Sequence, residues 1–192
     1  MHKVLVAYAS DQGQTERIAL RLVELLKREQ LDVLLQDLDR ASPSASRVAG
    51  MDGIILAASI HLGQHQTSAV NFAKAHHDNL KDKPSAFLSV SLGAGSEVEQ
   101  DQEQARQQID EFLGDCLWHP DIAVPLAGAV RYSSMSPPGR FGLSLLQRLF
   151  RRRLETHHLP DLTKDHEFTD WKAVEQFASA FAQLVEQRRT QA

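Results

Sequence analysis

Val4-Leu5-Val6-Ala7-Tyr8-Ala9-Ser10-Asp11-Gln12-Gly13-Gln14-Thr15 is the stretch on which the fold turns. Its first six residues form an apolar run without polar alternation, which suits a strand buried on both faces. A polar turn follows, and then the period changes. Ile18, Leu22, Leu25 and Leu26 recur at helical spacing, with Arg17, Arg21, Glu24, Lys27 and Arg28 on the other face. That is an amphipathic helix. A buried strand, a polar turn and such a helix make one βα unit of a parallel sheet.

The same unit recurs along the chain. Residues 31–38 mix polar and apolar side chains and suit a sheet edge, and 41–46 read as a Ser/Ala/Pro loop. Residues 53–58 are a third, buried strand, followed by a helix over about 66–80 with Val70, Phe72, Ala73 and Leu80 as its apolar positions. Residues 85–92 form a fourth strand, and Ile109, Phe112, Leu113 and Cys116 mark the next helix. A fifth strand is expected over 122–130, its entry made irregular by Pro125. The closing helix starts at Thr169-Asp170, a good cap pair, and carries Val174, Phe177, Ala178, Phe181, Leu184 and Val185 on one face. The pattern predicts one α/β domain over 1–192, a doubly wound five-stranded parallel sheet with helices on both faces. Residues 131–168 form an insertion before the last helix, too long for an ordinary connection.

Composition narrows the class. The chain has 192 residues, 42% hydrophobic and 24% charged, which excludes collagen-like, disordered and multi-span membrane proteins. No apolar run approaches the roughly 20 residues of a membrane span. The N-terminus reads as a strand rather than a signal peptide, so a cytoplasmic location is expected. One cysteine excludes a disulfide framework, and Cys116 reads as a buried, inert thiol. The net charge of -4 is uneven: residues 131–154 hold six Arg and no Asp or Glu, leaving -10 on the remainder. That split concerns partners.

In a doubly wound sheet ligands bind at the carboxyl ends of strands. Here the ends after Ala9, Ala58 and Leu92 are rich in Gly, Ser and Thr. The loop Ser10, Asp11, Gln12, Gly13, Gln14, Thr15 has no Lys, so it is not a P-loop, and it is not a GxGxxG turn. Hydroxyls, backbone N–H groups and a helix N-terminus suit one phosphate monoester held by neutral donors. Gly13 would let the backbone approach closely. Taken alone, the loop reads equally well as an ordinary polar βα turn.

The loop resembles the FMN-phosphate loop of flavodoxins, and the likeness extends over nearly the whole chain. Ala58-Ser59-Ile60-His61-Leu62-Gly63-Gln64-His65 is similar to the second flavin loop of one branch, the flavodoxin-like, quinone-dependent protoporphyrinogen IX dehydrogenases of bacteria. Pro84-Ser85-Ala86-Phe87 with Ser89-Val90, Ala127-Gly128-Ala129-Val130-Arg131-Tyr132 and Phe168-Thr169-Asp170-Trp171 also resemble that branch, in the same order. The resemblance implies a 2-1-3-4-5 sheet and non-covalent FMN. It also implies oxidation of protoporphyrinogen IX to protoporphyrin IX in heme biosynthesis, with electrons passed to a membrane quinone. Ser10 to Thr15 would hold the phosphate. Ser59, Ile60, His61, Leu62 and Gly63, with Ser91, Leu92, Gly93 and Ala94, would flank the isoalloxazine. The flavin would carry the chemistry, with His61 the one side chain placed to add a hydrogen-bond donor or act in catalysis. His65 reads as a solvated loop histidine.

Two features depart from many flavodoxins. Neither the 59–65 nor the 91–96 loop has an aromatic residue to stack on a flavin, and the chain is not strongly acidic. A soluble flavodoxin electron carrier, an NAD(P)H:quinone oxidoreductase and a domain that has lost FMN are the other readings.

The insertion contains a helical pattern over 140–154. Leu145, Leu146, Leu149 and Phe150 share one face and Arg148, Arg151 and Arg152 the opposite one, while Arg153 falls within the apolar arc. Such a helix suits an anionic membrane interface, and a helix packed on the acidic body is the other reading. Arg131, Arg140, Arg148, Arg151, Arg152 and Arg153 are therefore candidates for membrane contact or for the two propionates of the porphyrinogen. The protein is expected peripherally on the cytoplasmic face of the inner membrane. Leu and Phe among the arginines argue against nucleic acid. No metal is expected from His157, His158 and His166 or from His61 and His65, because no Cys or spaced carboxylate accompanies them.

Overall fold

The computed structural model describes residues 1–130 and 166–190. The arginine-rich segment, with Arg131, Arg140, Arg148, Arg151, Arg152 and Arg153, lies outside the described residues. The elements run β1 (Lys3–Ala9), α1 (Gln14–Arg28), β2 (Asp32–Asp37), α2 (Ala45–Ala49), β3 (Gly53–His61), β4 (Gln64–His65) and α3 (Thr67–Ala75). They continue with α4 (His77–Asp82), β5 (Ser85–Ser91), α5 (Glu99–Cys116), β6 (Ile122–Ala127), β7 (Ala129–Val130) and β8 (His166–Glu167). A closing helix, here α6, spans Trp171–Thr190.

The long strands lie in the order β2-β1-β3-β5-β6. All four pairings are parallel, with Val4 beside Val33 and Gly53, Ile54 beside Ser85, and Ala86 beside Ile122. Leaving out the two-residue β4, this is the expected 2-1-3-4-5 order. Alternation within β1 explains the two layers. Val4, Val6 and Tyr8 face α1 and α6, where Ile18, Leu22, Leu26, Val174, Phe177 and Phe181 complete one core. Leu5, Ala7 and Ala9 face the other way, toward Phe72, Phe87, Ile109, Phe112, Cys116 and Trp118. Each large side chain so buried contributes roughly 1.5–3 kcal/mol. Cys116 sits in this second core, and burial pushes its thiol pKa up, in keeping with an inert thiol.

Several boundaries differ from the periodicity. Residues 66–80 form two helices, because His76 (φ -118°) leaves the helical region between them. The 41–46 loop runs into a helical turn, α2, capped by Ser44 Oγ accepting the Arg47 N–H at 3.4 Å. Pro125 does not disturb strand entry. It pairs in register with Ser89 on the sheet edge, where a missing N–H costs nothing. The fifth strand stops at Ala127 rather than 130. Gly128 turns the chain, and Ala129–Val130 pair antiparallel with His166–Glu167 in a separate two-stranded ladder. Apolar residues continue across this break, so hydropathy alone reads through it.

Lys83, ahead of β5, closes the far end of the sheet. Its ammonium donates to the Val48 carbonyl at 3.2 Å, to Met51 at 2.7 Å and to Ala49. Ala49 ends α2 and Met51 lies just beyond it, and the Val48 carbonyl also accepts the Met51 N–H at 3.1 Å. Among the described residues no helix is long and apolar enough to cross a membrane.

Candidate functional site

The register of the central strands sets their carboxyl ends side by side: Ala9 with Ala58, Ser59 with Val90, and Ser91 with Ala127. Beyond them lies a cleft walled by Ser10, Asp11, Gln12, Gln14 and Thr15, by Ser59, Ile60 and His61, by Val90, Ser91 and Leu92, and by Gly128 and Ala129. Of the expected residues, Gly13, Leu62, Gly63, Gly93 and Ala94 lie in the same loops, outside that wall. Val90, Gly128 and Ala129 were not expected. The run at 127–130 was the sequence signal for Gly128 and Ala129, but it reads as strand.

The first loop is shaped as an anion cradle. Gly13 takes a left-handed conformation (φ 82°), which permits the turn into α1. Ser10 Oγ accepts the N–H of Gly13 at 3.0 Å and of Glu16 at 3.4 Å, so its own proton remains to be donated. Thr15 is buried, and its Oγ1 has no hydrogen-bond partner among the described residues. Such an atom costs about 1–3 kcal/mol unless a ligand satisfies it. The first turn of α1 adds N–H groups without helical acceptors and a positive dipole end. These groups fit a phosphate monoester.

The carboxylates nearby are engaged elsewhere. Glu16 Oε1 accepts from the Tyr8 hydroxyl at 3.3 Å. Burial, reinforced by Asp37 and Glu16, pushes the Tyr8 pKa up to about 12, so the phenol stays protonated. Asp39 accepts from the Ser10 N–H at 2.9 Å and from Ser68 Oγ at 2.6 Å. Asp11 turns toward the second loop. Its N–H donates to Ser59 Oγ at 3.2 Å, and its carboxylate lies 3.1 Å from His61 Nδ1. Two contacts thus join the first loop to the second. Gln14 also points its side chain away from the cradle, to Glu167 and Thr169.

The second loop is an extension of β3 rather than an irregular turn from Ser59. The strand continues to His61 and folds back on β4, pairing Ile60 with His65 and His61 with Gln64. Leu62 and Gly63 form the tip, with φ of 51° and 84°. Positive φ at both central residues is the mark of a type I′ hairpin, which favours Asn-Gly. Leucine there is strained, and Leu62 is 92% exposed.

His65 is not a solvated loop residue. Its Nε2 lies 2.9 Å from Ser89 Oγ, and its ring packs on Phe87 and Phe112 at centroid distances of 5.2 and 4.9 Å. Burial lowers its pKa to about 4, so it is neutral near pH 7. It anchors the hairpin to the sheet.

In the third loop Ser91 Oγ accepts the Ala94 N–H at 3.2 Å. A tight turn, Gly93–Gly95, brings Gly95 so near β6 that a Cβ there would lie 2.7 Å from that of Ala127. Gly95→Ala is therefore expected to cost about 1–3 kcal/mol, read as a lower urea midpoint at unchanged slope. A midpoint equal to that of the parent would show the approach to be looser.

A doubly wound sheet with a lysine-free turn shaped for an anion after β1, and loops after β3 and β5 that wall the same cleft, has the form of a flavodoxin-type domain. The chain belongs to the flavodoxin domain family, which it matches over residues 5–149, and that membership implies flavin binding. It is 29% identical over 184 residues to protoporphyrinogen IX dehydrogenase [quinone] of Escherichia coli (strain K12), covering 96% of this chain and 97% of the relative. It is 29% identical over 182 residues to the Leishmania major protein of the same name, covering 95% and 75%. Among solved structures, rubredoxin oxygen:oxidoreductase from Desulfovibrio gigas superposes with a TM-score of 0.56 at 14% identity. That match covers 98% of this chain and 36% of the other, and it speaks for the fold alone.

Proposed function

We propose that the protein is an FMN-dependent protoporphyrinogen IX dehydrogenase that passes electrons to a membrane quinone, a step of heme biosynthesis. The observation that carries this reading is the cradle with its unpartnered Thr15 hydroxyl, set in a chain collinear with the Escherichia coli dehydrogenase. Bound FMN would supply the two-electron chemistry of removing hydrogen from the substrate.

The chain's own residues bind and orient. Ser10, Thr15 and the first-turn N–H groups of α1 hold the phosphate. The Asp11–His61 contact keeps the first and second loops at a fixed separation, and it sets an imidazole at the cleft mouth. With no aromatic residue in either ring-side loop, Leu62 and Leu92 are the exposed apolar side chains on the two sides. They suit an apolar ring system. The six arginines of the 131–154 segment serve the acidic substrate and an anionic membrane surface on the cytoplasmic side.

The test is anaerobic oxidation of protoporphyrinogen by the FMN-loaded protein, with ubiquinone or menaquinone analogues as acceptors. Turnover that requires quinone is expected, and absence of turnover with every acceptor overturns the reading. A companion result is expected at the hairpin tip. Leu62→Asn should raise the stability of the flavin-free protein by about 0.5–1 kcal/mol, by relieving strain. It should also weaken FMN binding severalfold. Melting curves with and without FMN read both signs, and a drop in flavin-free stability would contradict the strain argument.

A further inference from the structure

We infer that Thr169 is a positioning residue for the phosphate end of the cofactor, acting through Gln14 on the first turn of α1. The inference rests on the flavin reading above and deepens it. Gln14 is only 4% exposed although it opens the helix behind the phosphate cradle. Its Nε2 donates to Thr169 Oγ1 at 2.8 Å and to Glu167 Oε1 at 3.2 Å. Its Oε1 accepts from the Arg17 guanidinium at 3.2 Å. Thr169 in turn donates to the carbonyl of Ala127, the last residue of β6, at 2.9 Å. The neighbouring Phe168 N–H donates to the Gly128 carbonyl at 3.1 Å.

Each side-chain polar atom of the Gln14–Thr169 link has a partner, and each bond has one direction. The hydroxyl of Thr169 accepts from Gln14 through a lone pair and gives its single proton to Ala127. Thr15 follows Gln14 directly, so fixing the Gln14 side chain orients the turn that carries the unpartnered Thr15 hydroxyl. The link joins residues 14 and 169, far apart in sequence, and ties the cradle to Gly128 and Ala129 on the opposite wall of the cleft. Arg17 reinforces it from outside, bonding Glu167 at 3.3 Å with its guanidinium 5.7 Å from the Trp171 ring. Thr169 does not line the cleft, so it acts through Gln14 and not on the ligand.

The prediction is selective. Thr169→Val keeps the shape and removes both hydrogen bonds. It should lower FMN affinity about tenfold, a typical coupling between linked sites. Riboflavin lacks the phosphate, so its affinity should change less than twofold. Thr169→Ser, which keeps the hydroxyl, should restore the wild-type FMN-to-riboflavin ratio. Quenching of flavin fluorescence on titration gives both constants without any turnover assay. Equal weakening of the two flavins, or no change in either, overturns the inference and leaves the flavin reading intact. Failure of the wild-type protein to bind FMN at all removes the flavin reading and the inference with it. Should Thr169→Val not fold, Gln14→Met cuts the same link from the other side and is read by the same ratio.

Discussion

Acidification from pH 6.5 toward pH 4 is expected to remove about 3 kcal/mol of stability through one side chain, His65. The folded protein holds this imidazole neutral down to about pH 4, because burial against Phe87 and Phe112 disfavours the cation. The unfolded chain protonates it near 6.5. Between those values the unfolded state binds the extra proton, so stability is fully present above pH 6.5 and declines as pH falls. Below the folded value the contribution levels off. His65→Gln retains a side chain that can reach Ser89 but does not titrate. Urea unfolding at pH 7 and pH 4 should therefore show a smaller difference in the variant, by roughly that amount. An equal difference in both proteins would assign the acid sensitivity to other groups. The site should follow the stability, because His65 holds the hairpin that carries His61 and Leu62. Flavin release in the same pH window would mark that connection.

Replacing Lys83 by methionine is expected to cost about 2–4 kcal/mol, since it strips a charged donor from three backbone carbonyls at once. The ammonium is partly desolvated, which lowers its pKa, and it sits at the negative end of α2. Methionine fills a similar volume but leaves the carbonyls of Ala49 and Met51 to find other partners, while Val48 keeps the Met51 N–H. The urea midpoint should fall with little change in slope. A loss below about 1 kcal/mol would mean that solvent replaces the ammonium readily. FMN affinity should hardly move, because this end of the sheet is opposite the cleft.

What could be read from the residues alone was whatever depends on local periodicity. The β1 stretch, the α1 stripe and the polar turn between them are contiguous, so they could be read as one βα unit, while the turn alone read equally well as an ordinary polar connection. The edge character of 31–38 was visible in its polar admixture. The unread features come from contacts through space. His65 looked solvated because its neighbours in sequence are polar, yet Phe87, Ser89 and Phe112 enclose it from other elements. Thr169 and Asp170 form a plausible cap pair, and only Asp170 caps, accepting the Lys172 N–H at 2.9 Å. Thr169 is drawn inward by Gln14 and Ala127. The break at Gly128 was hidden because apolar residues on both sides of it belong to different sheets.

The β7–β8 ladder has an architectural consequence. By pairing Val130 with His166, it brings the two ends of the 131–165 stretch together at the rim of the cleft. With the ends already joined, doubling the length of what lies between them adds only about 0.6 kcal/mol of closure entropy. Shortening it to an Asn-Gly turn would leave an ordinary hairpin. All five long strands precede this stretch, so exchanging it would leave the β2-β1-β3-β5-β6 pairing in place. Changes in its length and charge could retarget the protein while the flavin cradle stays as it is.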